Sequence, residues 1–362
     1  MRVGDLVRVM EEVAPTRFAA EWDNVGLLVG DPAVALARVL VTNDTTRAVL
    51  DEALAWGAGA IVSYHPPLFA AQKRFVSGSI AFDAARAGMA VYSPHTALDV
   101  APGGVNDVLA DALGMRDRAP LRAWAAPDEE LKLVTFVPAE QLETLSAALF
   151  AAGAGRIGKY SSCSFRAVGT GTFFGEEGAD PAVGSAGRLE HVQEVRLEVV
   201  VPRGKVEDAV GALRHAHPYE EPAFDLLRLA PGPTGLGFGR KGDVGPATAH
   251  ALVGRTKEAL GVDRVLVAGA LDREVTRAAV CAGSGGEFVG DAIAAGMQLL
   301  LTGELRHHEA LRASEAGLTV VCTRHSSSER AALAPLAARL ATALPGVEVR
   351  TSAVDRDPFA FA

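Results

Sequence analysis

Apolar and polar residues alternate along the chain in blocks that follow one repeated order. A short run rich in β-branched residues, as in ARVLVTNDTT (37–46), ends at a polar turn and leads into an alanine-rich segment with helical spacing, RAVLDEALAWGAG (47–59). The same order returns near the other end of the chain, in EAGLTVVCTRHSSSERAALAPLAARLATAL (315–344). Strands that alternate with helices in this way predict parallel sheets with helices on both faces.

The middle of the chain follows a different pattern. LKLVTFVP (131–138) and VQEVRLEVVVP (192–202) each predict a strand that ends at proline, and an amphipathic helical segment follows each of them. Two such units predict a small α+β domain, and the turn-rich segments on either side mark its edges. We therefore predict a two-lobed α/β core with mostly parallel sheets, its lobes at 1–127 and 231–362, interrupted by an inserted α+β domain at 128–230.

The composition is that of an ordinary globular protein, and its charge argues against some partners. Hydrophobic residues make up 49% and charged residues 22% of the 362 residues, and the net charge is −9. The absence of a lysine- or arginine-rich run argues against nucleic acid and against anionic membranes. Cys163, Cys281 and Cys322 form no CxxC pair, so neither a disulfide framework nor a zinc ribbon is indicated. Free thiols, together with no signal-peptide pattern and no long apolar run, lead us to expect a cytoplasmic protein without a membrane span.

Unusual polar residues stand where several of the predicted strands end. Ligands of open α/β sheets bind beyond the carboxyl ends of the strands, so residues at these positions converge. A single histidine there is most often an ordinary loop or cap residue, but five of the nine histidines hold such positions, with carboxylates beside them. Histidine, aspartate and glutamate together suit zinc, manganese or iron. The residues concerned are His65, His95, Asp99, Glu304, His307, His308 and His325.

The segment CTRHSSSERA (322–331) admits three interpretations. His325 and Glu329 are four residues apart, which places both side chains on one helical face, where they suit a metal site and where the carboxylate can bridge two ions. In the second interpretation the hydroxyl of Ser326 or Ser327 caps the helix and no metal is involved. The third, a nucleophilic serine with His325 as its base, has the least support, because neighbouring residues do not face each other on a helix and no G-x-S-x-G turn is present.

Five motifs, in order along the chain, resemble those of the Nif-three-like proteins, also described as GTP cyclohydrolase I type 2 homologues. The motifs are AEWDNVGLLVG, SYHPPLF, SPHTALDVAPGGVND, TGELRHHEAL and HSSSER, and they span about residues 14 to 335. The resemblance implies a two-lobed α/β core that holds a dinuclear metal centre, with a ferredoxin-like insert related to small trimeric signalling proteins. It also implies a toroidal homo-hexamer, a trimer of dimers, whose metal sites face the inner cavity.

The same resemblance implies a set of metal ligands and one departure from the family pattern. His65 and Asp99 would bind one divalent ion, His325 would bind the other, and Glu329 would bridge the two. Zinc is the expected metal, with manganese or iron as alternatives. Tyr64 stands where many members have a second adjacent histidine, and a phenol with a pKa near 10 is a poor ligand at neutral pH. We therefore expect one firm metal site and one weakly occupied site.

Further residues are candidates for catalysis or binding. Asp44, His95 and His308 are candidates for proton transfer or for orienting the ligands, and a helix cap is an equally good role for Asp44. The turn that contains Asp23 is expected to serve packing. The glycine-rich segment 281–288 is expected to form a tight turn rather than a phosphate cradle, since it lacks the lysine of a Walker sequence.

Together these patterns favour metal-dependent hydrolysis. Water activated by a bound metal would attack a polarised bond while a nearby carboxylate or histidine moves protons. The family description points to GTP, yet the sequence contains no guanine-reading motif, and a phosphoester substrate fits the same residues. The alternative is a non-catalytic ring in which metal and insert serve assembly, regulation or partner binding.

Overall fold

The structure is a computed structural model that describes residues 1–124, 130–229 and 235–361. The chain divides into two units, one made of Met1–Trp124 together with Pro233–Ala362, and the other of Ala125–Gly232. The domain boundaries predicted from the sequence, at 127/128 and 230/231, lie outside the described residues.

The strands of the described residues, in chain order, are β1 (Gly26–Val29), β2 (Arg38–Thr42), β3 (Ala60–Ser63), β4 (Ala90–Ser93), β5 (Arg116–Ala123), β6 (Glu130–Val137), β7 (Phe165–Phe174), β8 (Leu189–Pro202), β9 (Phe224–Arg228), β10 (Gly237–Thr248), β11 (Leu266–Ala268), β12 (Glu274–Ser284), β13 (Leu299–Glu304), β14 (Thr319–Cys322) and β15 (Glu348–Thr351). The α-helices are α1 (Val3–Val13), α2 (Arg47–Trp56), α3 (Ile80–Arg86), α4 (His95–Val100), α5 (Val105–Ala112), α6 (Leu142–Ala151), α7 (Val206–Ala216), α8 (Ala249–Leu260), α9 (Val289–Ala294), α10 (His307–Glu315), α11 (His325–Arg330) and α12 (Leu333–Ala343). Within the described ranges, no helix combines the length and the apolar character that crossing a bilayer requires.

The first unit contains two sheets, and the first of them is largely parallel. Its strand order is β1-β4-β3-β2-β15, with β1 antiparallel to β4 and the other pairings parallel. The strands β3 and β4 are buried along their whole length, as is typical of parallel strands covered on both faces. Helix α2 begins where the Thr46 hydroxyl accepts a hydrogen bond from the Val49 amide, and it ends at Gly57 in the left-handed conformation.

The second sheet of this unit is mixed, which corrects the prediction of mostly parallel sheets. Its order is β11-β14-β13-β12-β10-β5, and only the central strands β12, β13 and β14 run parallel to one another. The long strand β10 is antiparallel to both β12 and β5. The sequence pattern did not predict the antiparallel strands β5 and β10. Strand β5 is largely exposed and polar and β10 is rich in glycine, so neither strand shows a buried apolar run.

The second unit has the strand and helix order β6-α6-β7-β8-α7-β9 and one antiparallel sheet of order β7-β8-β6-β9. This is the arrangement of a ferredoxin-like fold. The two predicted strand–helix units are β6 with α6 and β8 with α7. Leu133, Leu145, Leu197 and Leu213, one from each of these four elements, are fully buried in a common core.

Candidate metal centre

The candidate site lies in the first unit, where strands of its two sheets end. Several of the polar residues at these strand ends lie together, whereas no contact places His307 or His308 among them in the described residues. Asn43 and Asp44 follow β2, Tyr64 and His65 follow β3, His95 and Asp99 lie on α4 after β4, Glu304 ends β13, and His325 and Glu329 lie on α11 after β14.

His65, His325 and Glu329 form the centre of the site. The carboxylate of Glu329 lies between the two histidines, with its Oε1 atom 3.0 Å from Nε2 of His325 and its Oε2 atom 3.4 Å from Nε2 of His65. The Glu329 residue is 2% exposed, and Asn43 Nδ2 donates a hydrogen bond of 3.2 Å to its Oε2 atom. The helical i, i+4 spacing thus brings His325 and Glu329 together, and the fold adds His65 from the other half of the unit.

The second ring nitrogen of each histidine faces another carboxylate. Nδ1 of His65 lies 2.9 Å from Oδ1 of Asp44, and Nδ1 of His325 lies 3.0 Å from Oε1 of Glu304. A carboxylate on one nitrogen fixes the ring orientation and makes the other nitrogen a better ligand. Both imidazoles are therefore held with their Nε2 atoms toward Glu329.

The charges of this centre depend on one another. Burial opposes the charged form of His65, but its hydrogen bonds with Asp44 and Glu329 outweigh burial and raise its pKa to about 10. The bond with Glu329 likewise raises the pKa of His325 to about 9, against the effect of burial. Burial favours the neutral form of Glu329, yet its bonds with His325 and His65 lower its pKa to about 2. At neutral pH the centre without a cation therefore holds two imidazolium rings around one carboxylate.

Tyr64 and Asp99 form a buried pair beside this centre. The Tyr64 hydroxyl donates a hydrogen bond of 2.6 Å to Oδ1 of Asp99. Burial, and then the negative charge of Asp99, raise the pKa of Tyr64 well above its usual value, so the phenol keeps its proton. Burial also raises the pKa of Asp99 to about 7, although the bond from Tyr64 opposes the rise. Tyr64 thus acts toward Asp99 as a hydrogen-bond donor and occupies one of its oxygens.

His95 is held by Asp23, a contact that the sequence did not reveal. Nδ1 of His95 lies 2.7 Å from Oδ1 of Asp23, whose other oxygen accepts hydrogen bonds from the amide and the hydroxyl of Thr96. The His95 ring lies 5.3 Å from that of His65, centre to centre. His95 also has a positive φ of 27°, and strained backbone of this kind is often found at functional sites. The turn around Asp23 therefore packs against the site, as expected, and also orients one of its histidines.

The serines of α11 do not cap the helix, which corrects one interpretation of the sequence. The residue before the helix is Arg324, with φ 75°, and it makes no side-chain capping bond. Because the helix already begins at His325, Ser326 and Ser327 lie inside its first turn, where they are buried. Ser328 instead accepts a hydrogen bond from the Gly283 amide and donates one to the carbonyl of His325.

The third catalytic candidate, His308, lies on the first turn of α10. Its ring packs against that of His307, at 5.3 Å between centres. In the parts of the chain that the structure describes, no hydrogen bond, ion pair or ring contact joins His308 to His65, His325 or Glu329. Its role in proton transfer stays a prediction.

Gly283 makes room for the Glu329 side chain. A Cβ atom on this glycine would lie 2.8 Å from Oε1 of Glu329 and 3.5 Å from the His325 ring, and the backbone has a φ of +63°. Only glycine adopts this conformation readily and leaves the carboxylate in place. The glycine-rich segment 281–288 is therefore not one tight turn: its first half is the irregular end of β12, and Gly286–Phe288 form a single 3-10 turn.

A cleft of about 480 Å³ opens beside the centre. Asp44, His65 and His325 line it from one side, together with Glu304. The segment after β15, residues 352–361, supplies another part of its wall through Asp357, Pro358 and Phe359. Nothing in the sequence predicts that this segment lies at the site, because it is far along the chain from β2 and β3 and shows no periodic pattern.

The residues of the centre fit a divalent cation. One ligand atom from each of His65, His325 and Glu329 lies within 4.8 Å of the others, close enough for all three to reach one ion. Two imidazoles and one carboxylate are donors that zinc accepts, and carboxylates hold both outward nitrogens, as in established metal sites. Within the described residues Asp99 is not part of such a group; its oxygen faces Tyr64 instead.

Comparisons with known proteins identify relatives over nearly the whole chain. A family model described as Duf34/NIF3 (NGG1p interacting factor 3) matches residues 1–358. A protein of Halalkalibacterium halodurans described as GTP cyclohydrolase 1 type 2 homolog is 36% identical over an alignment of 364 positions, which covers 98% of this chain and 98% of the relative. A protein of the same description from Mycobacterium tuberculosis is 39% identical over 339 residues, or 91% of this chain and 88% of the relative.

Solved structures show the same fold. The crystal structure of a Bacillus cereus protein related to NIF3 matches with a TM-score of 0.67 and 33% identity, over 100% of this chain and 99% of that one. A Staphylococcus aureus protein matches with a TM-score of 0.71 and 25% identity over the same shares of the two chains. These likenesses include the insert as well as the α/β core.

Proposed function

The chain belongs to the Duf34/NIF3 family, and from this premise we propose that it is a hydrolase-like protein that depends on a divalent cation. The observation that carries the proposal is the buried carboxylate of Glu329 between the Nε2 atoms of His65 and His325. The proposed reaction is hydrolysis of a polarised bond in a nucleotide or a phosphoester. The name shared by the relatives supports a nucleotide such as GTP.

His65, His325 and Glu329 would hold the cation. Three protein ligands with an open position are the arrangement of catalytic rather than structural zinc sites. Bound there, the cation would act as a Lewis acid and lower the pKa of a coordinated water molecule toward 7. The cleft of about 480 Å³ beside the histidines gives a substrate access to that position.

The residues around the centre have separate roles in this proposal. Burial favours the neutral form of Asp44, but its hydrogen bond with His65 lowers its pKa, so Asp44 stays ionised and orients that ring. Asp99, with a pKa of about 7, is better suited to exchange a proton at neutral pH. His95 lies beside both His65 and Tyr64, within 5.6 Å between ring centres, and is a candidate to carry a proton out of the site.

We also propose a second, weaker cation position at Asp99, completed by water. Tyr64 weakens it in two ways: its hydroxyl occupies one oxygen of Asp99, and its phenol keeps its proton at neutral pH. His65, His325 and Glu329 then hold the strongly bound cation, and Asp99, beside Tyr64, holds the weakly bound one.

The test is an assay of the purified protein loaded with Zn²⁺ or Mn²⁺, with GTP and a chromogenic phosphomonoester as substrates. Glu329→Gln is the variant, and Glu348→Gln, an exposed residue of β15, is the matched control. We expect turnover by the wild type and the control and loss of turnover in Glu329→Gln. If the wild type binds the cation but turns over neither substrate, hydrolysis of these substrates is wrong and the non-catalytic alternative, a regulatory or partner-binding ring, gains support.

We propose that the protein assembles as a homo-hexamer, as its resemblance to the family implies. Light scattering of the purified protein is expected to give a mass of six subunits of 37.6 kDa each. A monomeric mass would contradict this assembly and leave the cation site unaffected, since all three ligands come from one chain.

A further inference from the structure

The segment after β15 is fixed to the first sheet before it reaches the metal centre. The Ser352 amide donates a hydrogen bond of 2.8 Å to the carbonyl of Val41 on β2. Glu52 on α2 then accepts hydrogen bonds from the Ser352 hydroxyl and from the Ala353 amide. The Ser352 hydroxyl also accepts a hydrogen bond of 3.1 Å from the Asp355 amide, and none of these contacts involves His65, His325 or Glu329.

Asp355 lies three residues after Ser352 and makes two contacts, one with a backbone amide and one with a guanidinium group. Its Oδ2 atom accepts a hydrogen bond of 2.7 Å from the Asn43 amide and lies 2.5 Å from Nη1 of Arg330. The Asp355 side chain is 3% exposed, so this is a buried charge facing a guanidinium that is itself 20% exposed. Charge-assisted contacts of this kind, shielded from water, are strong and directional.

Each partner of Asp355 leads to a different part of the metal centre. Asn43 Nδ2 donates a hydrogen bond to Oε2 of Glu329. Nη2 of Arg330 lies 3.6 Å from Oδ2 of Asp44, whose other oxygen faces Nδ1 of His65. One carboxylate outside the centre is therefore connected, through one or two residues, to two of the three proposed ligands.

Polar atoms around these contacts are buried without a hydrogen-bond partner in the described residues: Asn43 Oδ1, Arg330 Nη2 and Asp355 Oδ1. Buried polar atoms without partners destabilise a protein, so their concentration at one place calls for an explanation. Here they lie beside a candidate cation site, where fixed polar groups are useful because they hold the ligands in position before the cation arrives.

We infer that Asp355 is a positioning residue of the cation site: it fixes Asn43 and Arg330, and through them the orientation of Glu329 and of the Asp44–His65 pair. The inference rests on the proposed cation site but not on any catalytic activity. Residues that orient metal ligands typically change metal affinity 10–100-fold when they are replaced. Because Asp355 acts through an intermediate residue, we expect the lower part of this range.

The experiment measures Co²⁺ and Zn²⁺ affinity of the full-length protein by competition with a chromophoric chelator, together with the visible spectrum of the Co²⁺ form. Asp355→Asn keeps an acceptor for the Asn43 amide and removes the charge that faces Arg330. Glu52→Gln is the matched control, because it loosens the same segment without touching Asn43 or Arg330. Unfolding of the metal-free variants by urea is measured alongside.

We expect Asp355→Asn to weaken Co²⁺ affinity about 10-fold and to shift the Co²⁺ spectrum, while Glu52→Gln stays within about 2-fold of the wild type. Arg330→Gln is expected to act like Asp355→Asn, and the double variant to lose less than the product of the two single effects. If Asp355→Asn keeps the wild-type Co²⁺ affinity, or if Asp355→Asn and Glu52→Gln lose equal amounts of affinity, the inference is wrong. Neither result would contradict the cation site itself. A wild type that binds neither cation would overturn the cation site, and the inference with it.

Discussion

The Nε2 atom of His325 lies 3.0 Å from the Oε1 atom of Glu329, one turn further along α11. Glu329 is nearly inaccessible to solvent, and its second oxygen faces His65 from the other half of the unit. A buried carboxylate shared by two imidazoles is stable only while positive charge surrounds it, whether the charge comes from protons or from a cation. A bound cation can therefore replace the protons of the two imidazoles, and the first three predictions follow from this replacement.

Replacement of Glu329 by glutamine is expected to abolish tight cation binding. Glutamine has the same shape but no charge, so the site loses a ligand and the two imidazoles lose the charge that holds them. We expect the affinity for Zn²⁺ to fall at least about 100-fold, measured by chelator competition. Glu348→Gln is the control, and equal affinities in the two variants would mean that Glu329 is not a ligand.

The stability of the cation-free protein is expected to depend on pH through the same three residues. Glu329, with its pKa lowered from 4.5 to about 2, stabilises the fold above pH 4.5, and this contribution is lost as the pH falls toward 2. His65 and His325, raised from 6.5 to about 10 and about 9, stabilise it below pH 6.5, and this is lost as the pH rises through 9 to 10.

The combined contribution is therefore largest between about pH 4.5 and 6.5. Urea unfolding with a chelator present, at pH 3, 5.5 and 9.5, measures it. Glu329→Gln is expected to remove the Glu329 contribution below pH 4.5 and to reduce the loss of stability above pH 6.5, where Asp44 and Glu304 still raise the pKa values of the two histidines. A profile of the same shape in the variant would contradict the proposed origin.

Cation binding at pH 7 is expected to release protons. Both histidines are charged at this pH in the cation-free protein and must be neutral to bind a metal. We expect about two protons per cation, measured by calorimetry in buffers with different ionisation enthalpies. Release close to zero would show that the histidines are not the ligands.

Replacement of Tyr64 by histidine is expected to strengthen the weaker cation position. The change frees an oxygen of Asp99 and introduces a nitrogen that is neutral near pH 7. The cation content, measured by elemental analysis after dialysis, is expected to rise from about one to about two cations per subunit. Tyr64→Phe, which frees the oxygen without adding a ligand, is the control, and no rise in Tyr64→His would contradict a second position at Asp99.

Replacement of Gly283 by alanine is expected to displace Glu329. Its Cβ would lie 2.8 Å from Oε1, in a backbone with φ +63°. Gly261→Ala is the matched control, since Gly261 has the same φ of +63° and open space around it. Both variants are expected to lose about 1–2 kcal/mol of stability to backbone strain, but only Gly283→Ala is expected to lose cation affinity, by about 10-fold. Equal affinities would show that the glycine serves the turn alone.

The sequence predicted three residues that the structure brings together, His65, His325 and Glu329, but it did not predict their surroundings. His325 and Glu329 could be paired because helical spacing is a local property. His65 follows a strand of the other sheet, so it could be added only through the family resemblance and its place at a strand end. The serine cap was wrong because the helix begins one residue before the serines, after a strained Arg324 that no local rule anticipates.

Long-range contacts other than those among the strand-end residues could not be predicted. Asp355 bonds to Asn43, which lies 312 residues earlier, and nothing in the sequence around either residue marks the contact. The antiparallel half of the second sheet was missed for a related reason: its strands are exposed or rich in glycine and lack the apolar alternation on which pattern analysis depends. Only the fold brings such residues together.

The separation of His65 from His325 along the chain also limits when the site can form during biosynthesis. A nascent chain that has been translated only as far as Arg324 contains His65 but neither of its two partners, and Asp355 is added later still. Up to that point the growing chain offers His65 without the two residues that complete the proposed three-ligand group. A cation held by all three proposed ligands can bind only after Glu329 has been translated, so it cannot guide the folding of the earlier strands β2, β3 and β4.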